Sequence, residues 1–446
     1  MERLESRLAL AAVEMIMVRV GDAGNAADPA TGYGRVGKAY RIGKYEVTLG
    51  EYAAFLNAVA GTSDPNALYD QALASDKTSG GIVRSGSEGS YSYAVTGPAG
   101  ITPEGADDPA NRPITYVNWF DAARFANWMA NGQPVGGQSA ATTENGAYDL
   151  TTSAAKAGIP PARNATNPAT GAAPTFFLPT ENQWYKAAYY SPALRGGRGG
   201  YYRFATRSNA EPGNELGSAA NRVNYIASDG RMTVTQDPFI DPAQNYLTNV
   251  GAMSGSWGPY GTFDQNGNAW ELLDAGGTLG GNALLRGGAW TSFTSYLASD
   301  YRLSVAATSG ASNAGFRLAA TDAASVPVAF EMLPVGDPGN AADAATGFGA
   351  VGYDYSIART DVTVGQYTAF LNAVAKSDPH KLYNKNMGSD RNVAGISRIG
   401  VPGAYAYSVL NIDGSTADRP ITYVSWFDAA RFANWMANGQ PAGGQT

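Results

Sequence analysis

The sequence predicts an α+β fold with few short helices and much irregular loop, present as a tandem duplication whose second copy is incomplete. Three observations lead to this prediction. Few helix starts are legible, glycine accounts for 55 of 446 residues, and long segments recur at offsets of 315 and 307 residues. A period of that length is too long for a solenoid and indicates a repeated domain.

The repeat sets the predicted domain boundaries. Gly21 to Ala60 aligns without gaps to Gly336 to Ala375 with 26 of 40 positions identical, and Arg112 to Pro134 recurs as Arg419 to Pro441 with one difference, Asn118 against Ser425. The second copy has no counterpart of the first beyond Ser139, so we expect a piece of a longer protein. The predicted parts are a targeting-like segment 1–12, a complete domain 13–320, a linker 321–327 and the front part of a second domain 328–446.

The helix starts can be read from their capping residues. A Thr followed three residues later by Glu or Gln forms a capping box, and the sequence has these at Thr48/Glu51, Thr363/Gln366 and Thr180/Gln183. Asn118 and Ser425 are both strong N-cap residues and each precedes a predicted helix, the first at Trp119 to Met129. Because the second copy lacks the later blocks, we expect the apolar faces of Tyr367, Phe370, Leu371, Trp426 and Trp435 to lack a complete partner surface.

Composition excludes several classes of function. The net charge is −7 and the sequence has no basic stripe, which argues against nucleic-acid binding. There is no cysteine, and the one histidine, His380, lies in a polar turn, so cysteine nucleophiles, disulfides, thiolate zinc sites and histidine-paired triads are excluded from residues 1–379. No apolar run reaches the ~20 residues of a transmembrane helix. The segment Glu2 to Leu10 resembles the Leu-Glu-x-Arg motif of planctomycete surface proteins, which favours an extracellular or cell-surface location.

Five ordered blocks carry a resemblance to a known family. They are Lys44-Tyr45-Glu46-Val47-Thr48, Phe177-Leu178-Pro179-Thr180-Glu181-Asn182-Gln183-Trp184, Gly267-Asn268-Ala269-Trp270-Glu271, Arg286-Gly287-Gly288-Ala289-Trp290 and Gly315-Phe316-Arg317-Leu318-Ala319. In this order and spacing they resemble the formylglycine-generating, or sulfatase-modifying factor, family. The resemblance implies a variant of the C-type lectin fold. We therefore interpret Arg286, Arg317 and the tryptophans of the blocks as core residues in preference to ligand contacts.

The resemblance also bears on catalysis. The family's catalysts bind copper through two cysteines after the Arg-Gly-Gly block, and these positions fall at about Ser292 and Leu297. Neither residue can hold Cu(I), which prefers thiolates. Related oxygenases on this fold bind iron through histidines, and the first domain has none. We therefore expect neither copper nor iron, and a protein without either known chemistry.

The resemblance further implies a calcium site and a ligand face. The family's Ca²⁺ ligands map to Asp264, Gly267, Ala269 and Glu271, and Asn224 is a candidate for a second site. The alternative is that Glu271 only binds loop amides or an arginine. The candidate ligand face consists of Ser292, Phe293, Thr294, Ser295, Tyr296, Asp300 and Tyr301. These residue types resemble a paratope, although a plain solvated loop explains them equally well.

Three functions remain open at this point. The first is a secreted or cell-surface module that binds a glycan or a protein. The second is a structural domain of an envelope or extracellular matrix. The third is an enzyme of the formylglycine-generating type, for which the family resemblance is the only support. The missing cysteines argue against it.

Overall fold

The computed structural model of the chain describes residues 13, 15–97, 108–322, 328–390, 392–399, 402–403, 405–410, 416–440 and 445. The predicted segment 1–12 and residues 323–327 of the predicted linker lie outside the described residues. The chain divides into two compact units, Met1–Ala324 and Ser325–Thr446, which we call unit 1 and unit 2.

Unit 1 is built from short elements joined by long loops. Its described strands are β1 Met17–Val20, β2 Tyr40–Gly43, β3 Ile82–Ser85, β4 Ser92–Val95, β5 Phe176–Phe177, β6 Tyr190–Ser191, β7 Gly200–Tyr201, β8 Trp270–Leu273, β9 Asn282–Arg286, β10 Leu303–Ala306, β11 Ala314–Gly315 and β12 Ala319–Thr321. Its described helices are α1 Leu49–Val59, α2 Ala72–Ser75, α3 Trp119–Ala130, α4 Ser153–Lys156, α5 Glu181–Tyr189, α6 Leu194–Gly197 (one distorted turn) and α7 Thr294–Leu297. The prediction of an α+β fold with few short helices and much irregular loop is confirmed.

Two four-stranded sheets organise unit 1. One has the strand order β1-β2-β12-β5, and the other has the order β10-β9-β8-β11. In the first sheet β12 pairs antiparallel with β2, with Ala319 opposite Ile42, so the end of the unit closes against its beginning. In the second sheet β8 pairs antiparallel with β9, which places Glu271 opposite Arg286. The sheets therefore bring together blocks that are far apart in the sequence.

The helices of unit 1 pack through aromatic side chains. Tyr52 and Phe55 of α1 meet Phe125 and Trp128 of α3, with ring centroids 5.2–6.2 Å apart. At the start of α3 the indole N–H of Trp119 donates to the carbonyl of Leu273 at 3.0 Å. Trp119 is 1% exposed, so α3 is held on one side by α1 and on the other by β8.

The predicted caps are present in both units. Thr48 and Glu51 form a capping box at α1, and Asn118 and Asp121 form one at α3. Ser425 and Asp428 form the corresponding box in unit 2, so the exchange of Asn for Ser preserves the cap. These helices begin where local sequence dictates, whatever packs against them.

Unit 2 contains the elements of the aligned part of unit 1 in the same order. Its described strands are β13 Met332–Val335, β14 Tyr355–Ala358, β15 Ile396–Ile399 and β16 Ala406–Val409, and its described helices are α8 Val364–Val374, α9 Asn386–Ser389 and α10 Trp426–Ala437. Among the described residues β13 and β14 form a two-stranded sheet, as do β15 and β16.

Unit 2 has a core of its own, which corrects one expectation. Tyr367, Phe370, Leu371 and Trp435 are at most 4% exposed and lie in a cluster made of unit 2 residues. The expectation that these four would lack partners is therefore wrong, because α8, α10 and the β15–β16 hairpin bury them among themselves. It holds for Trp426, which is 76% exposed.

The capping box of α1 predicts a pH dependence of stability. Burial raises the pKa of Glu51 from the ordinary value of 4.5 to about 7. The stability this group contributes is thus fully present below pH 4.5 and is lost as pH rises through about 7. We expect the melting temperature of residues 13–322 to fall between pH 5 and pH 8, and Glu51→Gln to make that fall smaller.

Unit 2 shows that Gln serves at this position. The Gln366 side chain accepts from the Thr363 amide at 2.8 Å, as Glu51 does from the Thr48 amide at 2.7 Å. Glu88→Gln, at an exposed turn, is the matched control and should leave the pH profile unchanged. An identical pH profile in wild type and Glu51→Gln, measured by calorimetry, would contradict the prediction.

Candidate functional site

The loop before β8 adopts a conformation that only certain residues tolerate. Gly267 has a φ of +76°, and a Cβ on it would collide with the carbonyl of Asn224. The next residue, Asn268, has a φ of +59° and is fully buried. Its side-chain oxygen accepts from the Thr248 amide at 3.0 Å and from Asn224 Nδ2 at 3.1 Å. The Gly-Asn block thus fixes the path of the chain into Glu271.

Arg317 and Glu271 form an ion pair with no exposed surface on either side chain. Arg317 Nε donates to Glu271 Oε2 at 2.5 Å and Nη2 donates to Oε1 at 2.7 Å. The remaining guanidinium hydrogens go to the carbonyls of Gly43, Lys44 and Phe263 at 2.8–3.3 Å. All five donors of the guanidinium are therefore used, which is what a buried arginine requires.

A further carboxyl group, Glu46, lies beside this pair. It is 1% exposed and accepts from the Ala269 amide at 3.1 Å and from Asn268 Nδ2 at 3.2 Å. Burial, and after it the charges of Asp264 and Glu271, hold the pKa of Glu46 well above its ordinary value. Burial alone would lower the pKa of Arg317, but Glu271 and the other carboxyl groups raise it above its ordinary value. One guanidinium thus faces three carboxyl groups.

The predicted calcium ligands lie on this cluster, with limited room for a metal ion. Glu271 Oε2 accepts from both Arg317 Nε and Trp184 Nε1, while Oε1 accepts from Arg317 alone. Asp264 Oδ2 accepts from the Gly251 amide at 2.6 Å. Within the described ranges, no three Asp, Glu, His or Cys side chains are arranged to hold a metal ion between them. A cation here would depend on main-chain carbonyls as well as on carboxylates.

The residue proposed for a second calcium site has another set of contacts. Asn224 Nδ2 donates to the Tyr246 carbonyl at 2.9 Å and to Asn268 Oδ1 at 3.1 Å. The Asn224 carbonyl also accepts from the Asn268 amide at 2.9 Å. Asn224 therefore supports the Gly-Asn block directly.

The two positions to which the resemblance maps the family's cysteines, about Ser292 and Leu297, lie close together. Ser292 and Leu297 both flank the point where Gly288 would carry a Cβ. Both are buried, at 3% and 0% exposure. The Ser292 hydroxyl accepts from the Ala289 amide at 2.9 Å, and Leu297 packs with Phe204 and Val223. These side chains fill space and close a turn.

Buried polar side chains bind the main-chain carbonyls of the loop that follows Ser292. Arg286 Nη1 donates to the carbonyls of Ser299 and Tyr301 at 2.8 and 2.9 Å. Asn266 Nδ2 donates to the carbonyl of Leu297 at 2.8 Å. Glu181 anchors Arg286 by accepting from its Nε at 2.8 Å. We call residues 293–301, fixed in this way, the presented loop.

Several side chains of the presented loop face solvent. Phe293 is 51% exposed and Tyr296 is 36% exposed, and Ser295 and Asp300 are exposed as well. Tyr296 and Tyr301 pack edge to face at 4.7 Å, and both lie against buried Trp270. The rings of Tyr296 and Tyr301 therefore pack on a tryptophan of the core.

Sequence reasoning gave Glu46 and Asn268 no role. Both lie inside blocks that carried the resemblance, but the partners of Glu46 are 222 and 223 residues away in the chain, and Asn268 contacts Thr248 and Asn224 at separations of 20 and 44 residues. The one available signal was an acidic residue between Tyr45 and Val47, just after β2. A charge placed there needs a buried partner.

Comparisons with known proteins identify the same family as the five sequence blocks. A model of the sulfatase-modifying factor enzyme 1-like domain matches residues 3–322 and 344–441. Solved structures similar to this chain include Treponema denticola variable protein 1, with 19% identity, 70% of this chain and 97% of that chain covered, and a TM-score of 0.36. CarF has 18% identity to this chain, with 69% of this chain and 98% of CarF covered and a TM-score of 0.35. PvdO from Pseudomonas aeruginosa has 17% identity, with 69% of this chain and 92% of PvdO covered and a TM-score of 0.29. No curated protein matches the chain.

The buried ion pair generates a prediction about stability. Glu271→Gln removes the carboxylate that is paired directly with the buried Arg317 guanidinium, and breaking a buried pair in this way costs about 3–5 kcal/mol. We expect that loss in the free energy of unfolding of the full chain, measured by urea titration. The matched control is Glu215→Gln, since Glu215 pairs with Arg222 at the surface and is 59% exposed. That change should cost less than about 1 kcal/mol, and equal losses from the two variants would contradict the assignment.

Proposed function

We propose that this chain, which belongs to the sulfatase-modifying factor enzyme 1-like domain family, is a non-catalytic module that binds an extracellular glycan or protein through the presented loop. The observation that carries the proposal is the way the loop is held. Three of its carbonyls are bound by buried Arg286 and Asn266, while Phe293, Ser295, Tyr296 and Asp300 point to solvent. A surface that is ordered before binding loses less entropy when a ligand docks.

The residue types of the loop support ligand binding. Tyr and Phe offer large rigid contact areas at low entropic cost, and Ser and Thr offer adaptable hydrogen bonds. Ser292 is left out of the proposed contact surface because its side chain is buried and closes a turn. The contact residues are therefore Phe293, Thr294, Ser295, Tyr296, Asp300 and Tyr301.

The non-catalytic part of the proposal rests on residue chemistry. Ser292 and Leu297 stand where the family's copper ligands map, and the chain contains no cysteine that could replace them. A hydroxyl and a methyl group offer Cu(I) no thiolate. An extracellular or cell-surface location fits the N-terminal motif and the composition. Among the described residues, none of the helices is both long and apolar enough to cross a membrane.

Calcium is proposed as a stabilising ligand of unit 1. Glu46, Asp264 and Glu271 lie beside the single charge of Arg317, and a divalent cation would stabilise the ionised forms of Glu46 and Asp264, whose pKa burial raises. Asp264, the remaining lone pair on Glu271 Oε1 and the carbonyls of Gly267 and Ala269 would hold the ion. Hard oxygen ligands of this kind suit Ca²⁺.

The binding proposal predicts loss of ligand without loss of fold. We expect selective binding of the full chain on a saccharide and protein array with Ca²⁺ present. Phe293→Ala and Tyr296→Ala should each weaken that binding at least about tenfold, as truncation of an aromatic anchor commonly does. Phe239→Ala is the matched control, because Phe239 is 80% exposed and lies outside the loop. A structural envelope domain would show no selective binding, and copper-dependent oxidation of a sulfatase-derived cysteine peptide would contradict the non-catalytic assignment.

The calcium proposal predicts a metal-dependent melting temperature. Calcium at a hundredfold excess over its dissociation constant should stabilise unit 1 by about 2.7 kcal/mol. Asp264→Asn should abolish the difference between Ca²⁺ and EDTA, since an amide keeps the Gly251 contact but loses the charge. Equal melting temperatures of wild type in 1 mM Ca²⁺ and in EDTA, in a sample shown to be metal-free, would rule out the site.

A further inference from the structure

One stretch of unit 1 is positively charged although the chain as a whole is acidic. The net charge of the chain is −7, yet residues 182–210 contain five basic residues and no Asp or Glu. The one lysine of this stretch is buried, whereas its four arginines are exposed. We call these arginines the arginine patch; they are Arg195, Arg198, Arg203 and Arg207.

The patch lies along the β6–β7 hairpin and the turn that follows it. Arg195 and Arg198 are in the segment that connects the two strands, and Arg203 and Arg207 come just after β7. Because a chain spans at most about 3.6 Å per residue, the Cα atoms of successive patch residues are no more than about 18 Å apart. In the described part of the chain none of the four forms an ion pair with a carboxylate. Their charges are therefore available to a ligand.

Arg207 is held flat against a partly exposed tryptophan. The carbon of its guanidinium lies 4.0 Å from the ring centre of Trp257, which is 38% exposed. Arg207 Nε also donates to the Trp257 carbonyl at 3.1 Å. Partial burial lowers the pKa of Arg207, and the group that opposes this effect is the phenol of Tyr202. The guanidinium is thus fixed by the indole, while its Nη1 and Nη2 groups remain available.

The main chain at Arg207 is itself unusual. Its φ is +60°, in the left-handed region that glycine or asparagine more often occupies. The turn is closed by a hydrogen bond from the Phe204 amide to the Ser208 carbonyl at 3.0 Å and by one from the Thr206 hydroxyl to Asn221 Oδ1 at 2.6 Å. Strained residues of this kind concentrate at functional sites.

We propose that the arginine patch, with Trp257 packed against Arg207, binds the carboxylate or sulfate groups of an acidic polysaccharide. The Nη1 and Nη2 groups of Arg207 offer two parallel N–H donors, which match two oxygens of such a group. The other three guanidiniums bind further anionic groups along the same polymer. The site lies outside the presented loop, and the proposal holds whether or not that loop binds a ligand.

The extent of the patch favours a polysaccharide over a nucleic acid. Nucleic acids are bound along extended basic surfaces, where each neutralised phosphate adds to the affinity. Four guanidiniums form only a short patch, and the exposed carboxyl groups of Glu211 and Glu215 follow it in the chain. These carboxylates would repel further phosphates along such a track.

The test uses the full chain and three polymers, which are heparin with sulfate groups, polygalacturonate with carboxylates alone, and neutral dextran. Titration calorimetry should show saturable binding to at least one of the two acidic polymers and none to dextran. The affinity should fall as the salt concentration rises, because binding releases counter-ions. Arg207→Gln should weaken binding at least about fivefold and lower the slope of log affinity against log salt by about one.

Two further variants separate the proposed geometry from charge alone. Arg231→Gln is the matched control, since the Arg231 side chain is 58% exposed and is paired with Asp229. It makes the same charge change and should leave the affinity unchanged. Arg207→Lys keeps the charge but lacks the planar pair of donors, so it should weaken binding while the salt slope stays the same.

Several results would overturn the proposal. They are the absence of saturable binding to both acidic polymers, equal losses from Arg207→Gln and Arg231→Gln, wild-type affinity in Arg207→Lys, and tighter binding of single-stranded RNA than of either polysaccharide. Phe293→Ala distinguishes this site from the presented loop and should leave polysaccharide binding unchanged. A loss from Phe293→Ala equal to that from Arg207→Gln would place the site in the loop and would also overturn the proposal. Circular dichroism of each variant confirms that the fold is retained.

Discussion

The buried pair of Arg317 and Glu271 connects most of the parts of unit 1. Through one guanidinium it joins the segment between β11 and β12 to β8, to the end of β2 and to the loop at Phe263. Taking two charges out of water is costly, so the pair is weak evidence for stability by itself. Its contribution is to the arrangement of these segments, because in this arrangement all five guanidinium donors have an acceptor. Glu46, Asn268 and Trp184 then take their positions around it.

The two units separate local from long-range causes of structure. Helices α3 and α10 have the same residues and both begin at a capping box, yet Trp119 is buried and Trp426 is exposed. Capping and apolar periodicity therefore decide where the helix forms. What covers its first turn is decided by β8, which lies about 150 residues further along the chain. The burial of a side chain therefore depends on the whole fold, whereas the helix depends on its own segment of sequence.

The same distinction explains what could be predicted from the sequence. Helix starts and the family of the fold could be predicted, since the caps are local and the five blocks are contiguous. The predicted bounds of α3 were off by one residue, because its last turn extends to Ala130. The role of Glu46 could not be predicted, since its partners lie more than 200 residues away and nothing in its own segment indicates them. The burial of Tyr367 and Phe370 in unit 2 was missed for a related reason. The expectation was based on the sequence blocks missing from the second copy. It did not consider that α8, α10 and the β15–β16 hairpin bury these side chains against each other.

The anchoring of the presented loop has a consequence for its evolution. Arg286 and Asn266 donate hydrogen bonds to main-chain carbonyls, which every amino acid has. None of these bonds involves an exposed side chain of the loop. The path of the loop is consequently insensitive to the identity of its exposed residues. Mutations at such positions change the surface chemistry of the loop while the scaffold keeps its stability. Under the binding function proposed above, the sequence of this loop can drift while the fold stays constant.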